Sequence, residues 1–306
     1  DAAGDVLSGI ENIIGSALND ALYGDTNANI LSGGVGNDTL IGGLGADTLN
    51  GGTGTDTADY SASASGVTAY LDGTTGVGGD AAGDVLSGIE NLTGSGSADH
   101  LYGDSNANVL DGGAGNDTLT GGAGADTLIG GTGSDTADYS GSASGISLIL
   151  NGVGSGTGNA GDAAGDSLSG IESILGSAQN DDFTLTLGNG WSIDGGAGID
   201  TVHFAANSGT IIASQLTGVL SHIEDIDFTS SNTAANLTID ANFIQSLVGS
   251  GNSSNLTIDV NGDDTLTIGA GAFYTQTGSD YVFYSDAGHT TQIAAMRSEE
   301  RRVGKE

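Results

Sequence analysis

Single leucines recur along this chain every nine positions, set among glycines and polar residues. The first series is Leu22, Leu31, Leu40, Leu49 and Ala58, and the second is Leu101, Leu110, Leu119, Leu128 and Ala137. Each leucine is the middle residue of a short run such as Thr39-Leu40-Ile41. Because neighbouring residues in a strand face opposite sides, this pattern predicts three-residue strands that each point one side chain inward.

Strands this short predict a repeat architecture. Each nine-residue unit can bury its leucine only by stacking on its neighbours. Two units form one coil of 18 residues, so Leu40 stacks on Leu22 at about 4.8 Å, the spacing of paired strands. The predicted fold class is therefore an all-β solenoid.

The segments between the strands share the phrase Gly-Gly-x-Gly-x-Asp. It reads GGVGNDTLI, GGLGADTLN and GGTGTDTAD from Gly33, returns in three copies from Gly112, and occurs once as GGAGIDTVH from Gly195. Less regular units keep the register from Gly15, Gly24, Gly94, Gly103 and Gly176. Turns 18 residues apart should lie on one side of the coil. The residues at place six then form two columns, which begin with Asp20, Asp38 and Asp56 on one side and with Asn29 and Asp47 on the other.

The turns are candidate sites for a hard cation. Glycine adopts positive φ readily, so carbonyl oxygens can bend toward one point while the aspartate adds a charged oxygen. Such oxygen donors favour Ca²⁺, since Zn²⁺ prefers histidine or cysteine and Mg²⁺ demands tighter octahedral geometry. The candidate carboxylates are Asp20, Asp38, Asp47, Asp56, Asp99, Asp117, Asp126, Asp135, Asp181 and Asp200. The candidate turn glycines are Gly33, Gly36, Gly42, Gly45, Gly51, Gly54, Gly112, Gly115, Gly121, Gly124, Gly130 and Gly133.

The charge distribution supports a cation partner. The formal net charge is -35, and all four basic residues lie in the last ten positions, so residues 1–296 contain no Lys or Arg. Such a chain is a poor ligand for nucleic acid, and without a long apolar run it is not expected to insert into a membrane. A merely solvated acidic surface would not require the carboxylates to keep a nine-residue period. We expect the metal-free stack to be unfolded, because its carboxylates repel one another.

A longer period lies above the nine-residue one. The phrase DAAGDVLSGIEN begins at Asp1 and at Asp80, and DAAGDSLSGIES begins at Asp162. We expect a cassette at residues 1–79, a second at 80–161, a degenerate third at 162–206, a β-rich capping region at 207–296 with a helical turn near residues 243–248, and a foreign tail at 297–306. Since the chain opens inside this phrase, we expect it to be part of a longer protein.

The Leu-Ser-Gly-Ile-Glu part of the cassette phrase is interpreted as a structural element. Its two apolar residues, leucine and isoleucine, are expected to face inward where the chain enters the stack. Its glutamates are Glu11, Glu90, Glu172 and Glu224, with the last in a looser copy. Because the glutamates recur with the phrase, we interpret them as structural and not catalytic. The four histidines are scattered along the chain. No zinc-protease or serine-hydrolase motif is present, so the chain is not expected to be an enzyme.

The repeats GGVGNDTLI and GGAGNDTLT resemble the RTX nonapeptide of haemolysin-type calcium-binding proteins. The resemblance covers residues 1–204 well, and residues 214–296 more loosely resemble caps found near the C-termini of such proteins. It implies a right-handed parallel β-roll with a C-terminal cap, in which Ca²⁺ is held between turns by the aspartate and by carbonyls of the glycine region. It also implies export by the type I secretion machinery and folding outside the cell. Asn29 and Asn108 replace the aspartate, and Gly24 and Gly103 precede Asp, so these two sites should be weak or empty.

Together these features predict a calcium-binding region of a secreted bacterial protein, with a structural or adhesin-like role that the duplicated cassettes favour. The alternative is the C-terminal secretion and folding module of an exoenzyme, a protease or a lipase, with its catalytic domain upstream. A calcium-free, ice-binding solenoid is less favoured, because flat threonine arrays are not evident. The sequence does not identify which surface or host ligand, if any, this region binds.

Overall fold

The nine-residue leucine period produces short strands, as predicted. The computed structural model describes residues 9–152, 154–185, 190–204, 210–212, 219–227, 236–239, 256–260, 265–268, 273–277, 280–284 and 292–298. These residues form strands and two 3-10 turns, and they contain no α-helix.

The strands up to the end of the second block are β1 (Asn12–Ile14), β2 (Ala21–Tyr23), β3 (Ile30–Val35), β4 (Thr39–Ile41), β5 (Thr48–Thr53), β6 (Thr57–Asp59), β7 (Thr68–Tyr70), β8 (Val85–Ser87), β9 (Asn91–Thr93), β10 (His100–Tyr102), β11 (Val109–Asp111), β12 (Thr118–Thr120), β13 (Thr127–Ile129) and β14 (Thr136–Asp138). The later strands are β15 (Ser147–Gly152), β16 (Ser155–Ala160), β17 (Ser167–Ser169), β18 (Ser173–Leu175), β19 (Asp182–Leu185), β20 (Ser192–Asp194), β21 (Thr201–Phe204), β22 (Thr210–Ile212), β23 (Leu220–Ser221), β24 (Asp225–Asp227), β25 (Asn236–Ile239), β26 (Leu256–Val260), β27 (Thr265–Ile268), β28 (Phe273–Thr277), β29 (Asp280–Tyr284) and β30 (Gln292–Ser298). The 3-10 turns are Gly79–Ala81 and Gly161–Ala163.

The chain forms two compact units. The first unit comprises residues 1–137 and 166–171, and the second comprises residues 138–165 and 172–306. These are units of packing in space, whereas the cassettes are units of sequence repetition.

In the first unit the coil alternates between one continuous parallel sheet and two shorter parallel sheets. The continuous sheet has the strand order β2-β4-β6-β9-β11-β13-β17. The shorter sheets are β1-β3-β5-β8 and β7-β10-β12-β14. Within a block, paired residues are 18 positions apart, as Leu22 with Leu40 and Leu101 with Leu119. The predicted parallel β-roll with an 18-residue coil is therefore confirmed.

The core of the roll consists of columns of inward-facing leucines. Leu31, Leu40, Leu49, Leu101, Leu110, Leu119 and Leu128 are all fully buried. Their neighbours along each strand face outward, which is the alternation expected of three-residue strands. Each further coil extends the apolar column by one layer, so the core grows with the number of repeats.

The segment between the two blocks continues the stack. Val67, Ala69 and Leu71 are buried, and β7 pairs in parallel with β10, so that Ala69 faces Leu101. The alternating apolar residues of this segment therefore start a new sheet. The second block adds its strands to that sheet.

The second unit contains both parallel and antiparallel pairs. β15 pairs with β16 in antiparallel fashion and with β19 in parallel, and the parallel order continues through β21, β24 and β26 to β30. β28, β29 and β30 then form an antiparallel series. Trp191 is buried, and its indole N–H donates to the carbonyl of Gly152 at 3.0 Å.

Some expectations fall outside the described residues. The helical turn near residues 243–248 is one of them, and residues 299–306 of the expected foreign tail are another. β30 extends through Ser298, two residues into that segment.

Leu40→Ala is expected to lower the free energy of unfolding of the calcium-saturated protein by about 2–5 kcal/mol, because the variant leaves a cavity in a close-packed column. Leu44 lies four positions away and is 54% exposed, so Leu44→Ala is expected to change it by less than about 0.5 kcal/mol. Denaturant titration followed by circular dichroism measures both. Equal losses would contradict the assignment of the core.

Candidate metal centre

The glycines at places two and four of the Gly-Gly-x-Gly-x-Asp units are required by the backbone. Gly34 has φ of 107° and Gly36 has φ of 134°, and the other complete units repeat this pair of values closely. Side chains other than glycine rarely adopt these conformations. The turn therefore has a fixed shape in every complete unit.

The glycine at place one is required for a different reason, since its φ is not positive. A Cβ atom added to Gly112 would lie 2.5 Å from Oδ2 of Asp117 and 2.8 Å from the carbonyl oxygen of Gly130. At Gly33 the added atom would meet the corresponding atoms of Asp38 and Gly51. A carboxylate oxygen of the same unit and a carbonyl oxygen from the next coil thus converge over the first glycine of five complete units, those that begin at Gly33, Gly51, Gly112, Gly130 and Gly195.

One oxygen of each carboxylate joins successive coils. Oδ1 of Asp38 accepts the backbone N–H of Asp20 at 2.8 Å, and Oδ1 of Asp56 accepts that of Asp38 at 2.7 Å. On the other side, Oδ1 of Asp47 accepts the N–H of Asn29 at 2.7 Å. The two columns predicted from the 18-residue spacing are therefore confirmed.

The second block builds its columns in the same way. Oδ1 of Asp117 accepts the N–H of Asp99 at 2.9 Å, and Oδ1 of Asp135 accepts that of Asp117 at 2.8 Å. Oδ1 of Asp126 accepts the N–H of Asn108 at 2.8 Å. In the second unit, Oδ1 of Asp200 accepts the N–H of Asp181 at 2.8 Å.

The second carboxylate oxygen separates the complete units from the irregular ones. Among the described residues, no donor reaches the buried Oδ2 atoms of Asp38, Asp47, Asp56, Asp117 and Asp200. All five aspartates are at most 1% exposed. A buried carboxylate oxygen with no partner is costly, and residues 1–296 offer no Lys or Arg to neutralise it.

In the irregular units the residue at place two satisfies that oxygen. The backbone N–H of Ser95 donates to Oδ2 of Asp99 at 2.6 Å, and that of Ser177 donates to Oδ2 of Asp181 at 2.7 Å. Ser16 does the same for Asp20. The corresponding N–H groups of Asp25 and Asp104 donate to Oδ1 of Asn29 at 2.7 Å and of Asn108 at 2.8 Å, respectively.

Sequence reasoning grouped Asp20, Asp99 and Asp181 with the other candidate ligands, whereas the structure gives their Oδ2 atoms a hydrogen bond inside their own turn. The signal that separates them is the residue after the first glycine. Glycine there takes positive φ, as at Gly34 and Gly113, and serine or aspartate does not. Their role as ligands stays a prediction.

Three carboxylates outside the nonapeptides, which sequence reasoning did not identify, also accept a backbone N–H from a neighbouring coil. Oδ1 of Asp84 accepts the N–H of Asp47 at 2.8 Å, and Oε2 of Glu90 accepts the N–H of Asp56 at 2.8 Å. Oε2 of Glu224 accepts the N–H of Asp200 at 3.1 Å. Asp84 and Glu90 belong to the cassette phrase and Glu224 belongs to its looser copy, so the repetition of the phrase was the available signal.

Burial raises the pKa of several of these carboxylates, so they ionise at a higher pH than a free aspartate. It raises the pKa of Asp117 to about 6 and the pKa of Asp200 to about 7, with a smaller contribution from neighbouring carboxylates. Burial likewise raises the pKa of Asp84 to about 7. The pKa values of Asp47 and Asp56 are raised for the same reason.

The oxygen atoms of the turns fit a hard cation. The complete units bring together carboxylate and carbonyl oxygens only, which are the donors that Ca²⁺ prefers. Among the described residues, no three His, Cys, Asp or Glu side chains lie close enough to form a metal site by themselves. Backbone carbonyls would therefore supply much of the coordination, as the glycine content of the turns indicates.

Acidification is expected to stabilise the fold of the calcium-free protein. Asp84, Asp117 and Asp200 have pKa values of about 7, 6 and 7 in the fold, against 3.8 for a free side chain, so the folded state binds protons that the unfolded chain does not. This contribution is fully present below about pH 4 and is lost as the pH rises through about 7. Circular dichroism of calcium-free protein between pH 7.5 and 5 measures it. Since the calcium-free chain is expected to be unfolded at neutral pH, a β signal that does not rise on acidification would contradict the burial of ionisable carboxylates.

Gly36→Ala is expected to destabilise the calcium-bound fold by about 1–3 kcal/mol, because alanine is strained at that φ. Its Cβ would also lie 2.7 Å from the carbonyl carbon of Leu18. Gly96 is the matched control, since it is another turn glycine, has no positive φ, and a Cβ there meets nothing within 4 Å. Gly96→Ala should be neutral or stabilising by up to about 1 kcal/mol in denaturant titrations. Equal destabilisation of the two variants would argue against the turn geometry.

Four segments of the chain match the family model of the RTX calcium-binding nonapeptide repeat, namely residues 7–39, 23–58, 84–119 and 102–137. RTX nonapeptide repeats bind Ca²⁺, and the repeat family is structural rather than catalytic. Proteins with these repeats are typically secreted. In the part of the chain that the structure describes, no helix is long and apolar enough to span a membrane. A comparison with curated proteins gives no match. The chain therefore carries two arrays of RTX calcium-binding nonapeptide repeats, in residues 7–58 and 84–137, within an all-β repeat fold.

Proposed function

We propose that the repeat arrays are a folding switch operated by calcium. In this proposal the chain is unfolded at the low calcium concentration of the cytosol, leaves the cell through the type I secretion machinery, and folds outside on binding Ca²⁺. Extracellular calcium modules bind at roughly 10⁻⁴ to 10⁻³ M. That range lies far above cytosolic calcium and suits a switch of this kind.

The observation that carries the proposal is that, among the described residues, no donor reaches the buried Oδ2 atoms of Asp38, Asp47, Asp56, Asp117 and Asp200. Two carboxylates 4 Å apart repel by up to about 4 kcal/mol at an effective dielectric constant of 20. The raised pKa values of Asp117 and Asp200 reflect the same unfavourable burial of charge. A divalent ion between coils converts this repulsion into attraction, so the fold gains its stability only when calcium is present.

The proposed ligands are the Oδ2 atom at place six and the carbonyl oxygens of the glycine turns. The complete units should bind most strongly, and their aspartates are Asp38, Asp47, Asp56, Asp117, Asp126, Asp135 and Asp200. Asp20, Asp99 and Asp181 should contribute less, because a backbone N–H of their own turn already occupies Oδ2. Asn29 and Asn108 lack the charge altogether, which should leave their turns weakest.

We further propose a structural, adhesin-like role for this region. On one side of the roll the stack passes from one block to the next without interruption, since β9 pairs with β6 and Leu92 faces Ala58. A roll that continues through the cassette junction supports an extended, rigid segment. Such a segment suits the display of other regions away from a cell surface.

Removal of calcium is expected to abolish the β signal. Circular dichroism of the full chain in excess calcium should show a β spectrum, and excess chelator should convert it to the spectrum of an unfolded chain. The spectrum should return when calcium is restored. A β spectrum that persists unchanged in chelator would overturn the proposal.

Asp38→Ala is expected to raise the calcium concentration at the folding midpoint by about tenfold or more, which corresponds to about 1.4 kcal/mol of lost binding energy. The variant removes a buried charge and the acceptor of the Asp20 N–H. Asn29→Ala should have a smaller effect, because Asn29 is uncharged and its Oδ1 already accepts the Asp25 N–H. Calcium titrations followed by circular dichroism compare the two. Equal shifts would count against the assignment of the sites to the aspartate columns.

A further inference from the structure

The Leu-Ser-Gly-Ile-Glu phrase takes the place of a nonapeptide turn at the end of the first block. Leu86 pairs in register with Leu49, and Leu92 pairs with Ala58. The two inward positions are six residues apart in the phrase, whereas they are nine apart in the nonapeptide. The phrase is therefore a turn shortened by three residues that still joins the same two sheets.

The glycine of this phrase presents its carbonyl where a nonapeptide presents its own. A Cβ atom added to Gly51 would lie 2.6 Å from Oδ2 of Asp56 and would also meet the carbonyl oxygen of Gly88. This is the same pair of atoms that converges over Gly112, where Asp117 and Gly130 supply them. Gly88 has φ of 57°, which turns the shortened chain back toward the next strand.

The glutamate of the phrase replaces the aspartate of the column. Oε2 of Glu90 accepts the backbone N–H of Asp56 at 2.8 Å, as Oδ1 of Asp56 accepts that of Asp38 at 2.7 Å. The N–H groups of Glu90 and Asn91 both donate to the carbonyl of Asp56, at 3.1 Å and 2.9 Å. Glutamate has one methylene more than aspartate, which supplies reach in a turn that has lost three residues.

The second unit repeats the arrangement with a different sequence. A Cβ atom added to Gly195 would lie 2.7 Å from Oδ2 of Asp200 and would meet the carbonyl oxygen of His222. Oε2 of Glu224 accepts the N–H of Asp200 at 3.1 Å, and the N–H groups of Glu224 and Asp225 donate to its carbonyl at 3.1 Å and 3.0 Å. His222 has φ of 50°, so it keeps the backbone conformation of Gly88. These residues lie outside all four matched segments.

In both places the phrase faces a buried carboxylate oxygen that lacks a donor. Oδ2 of Asp56 and Oδ2 of Asp200 have no partner among the described residues, and both aspartates are 0% exposed. Each is the last nonapeptide aspartate before a copy of the phrase. A site built from nonapeptide pairs alone would leave both oxygens without a second turn to complete it.

We propose that the Leu-Ser-Gly-Ile-Glu phrase is the second half of a calcium site. Gly88 and Glu90 complete one site with the Gly51 turn and Asp56, and the carbonyl of His222 and the carboxylate of Glu224 complete another with Gly195 and Asp200. The inference rests on the proposed calcium-dependent folding, and it extends calcium binding to a turn outside the nonapeptide pattern. In the first unit, the ion bound at Asp56 would join the last coil of one block to the first coil of the next.

The test is a count of bound calcium ions on the full chain carrying Glu90→Gln, Glu224→Gln or both. Glutamine keeps an oxygen that can accept the N–H of Asp56 or Asp200, so a purely structural role would leave the ion count and affinities unchanged. Glu11→Gln is the matched control in the first copy of the phrase. Glu11 is exposed, and a Cβ added to Gly9 of that copy meets nothing within 4 Å, in contrast to Gly88.

Equilibrium dialysis at controlled free calcium gives the count, and circular dichroism of the same samples reports folding. Each single variant is expected to weaken one ion at least tenfold, the double variant two ions, and Glu11→Gln none. If Glu90→Gln fails to fold at saturating calcium, the count on Glu224→Gln, in the other unit, decides. If the wild-type protein folds on calcium and the variants bind the same number of ions with the same affinities, this inference is overturned and the proposed function stands. A wild-type chain that binds no calcium would overturn both.

Discussion

A buried carboxylate with a partner for only one of its two oxygens is the constraint on which this fold depends. In the complete units, Oδ1 joins one coil to the next through a backbone N–H, and among the described residues no donor reaches Oδ2 of Asp38, Asp47, Asp56, Asp117 and Asp200. An ordinary protein would place an arginine or lysine beside such a group, and residues 1–296 contain neither. The same side chain therefore holds the coils in register and carries the oxygen atom on which the proposed dependence on calcium rests.

The composition of the turn follows from that constraint. Places two and four need glycine because of φ, as Gly34 and Gly36 show, and place one needs it because oxygen atoms occupy the position of a side chain. Where place two is serine, as at Ser95, the backbone N–H turns to the carboxylate and satisfies it. A single substitution in the turn thus decides whether a unit satisfies its carboxylate internally or leaves it for an ion.

The strands, their 18-residue register and the two aspartate columns could be predicted because each depends on local period alone. The pairing of Leu40 with Leu22 and the order of Asp20, Asp38 and Asp56 follow directly from the spacing. The contact between Glu90 and Asp56 could not be predicted this way, since it spans 34 residues and uses a shortened turn with a longer side chain. The distinction between Asp99 and Asp117 could have been read from the residue after the first glycine, which is Ser95 in one unit and Gly113 in the other. Its consequence could not, because it depends on the direction in which a backbone N–H points.

At the junction between the blocks, the two aspartate columns of the roll differ in how their carboxylates are hydrogen-bonded. On one side, Oδ1 of Asp84 accepts the N–H of Asp47, and its Oδ2 accepts the hydroxyl of the buried Tyr60 at 3.1 Å. That carboxylate has hydrogen bonds to both oxygens, and the side chain that completes them comes from the segment linking the blocks. On the other side Oε2 of Glu90 accepts the N–H of Asp56, and within the described part of the chain no donor reaches Oδ2 of Asp56. The linking segment therefore ends one column with a protein donor, and the other column continues through the junction with a carboxylate oxygen that the proposed calcium ion would bind.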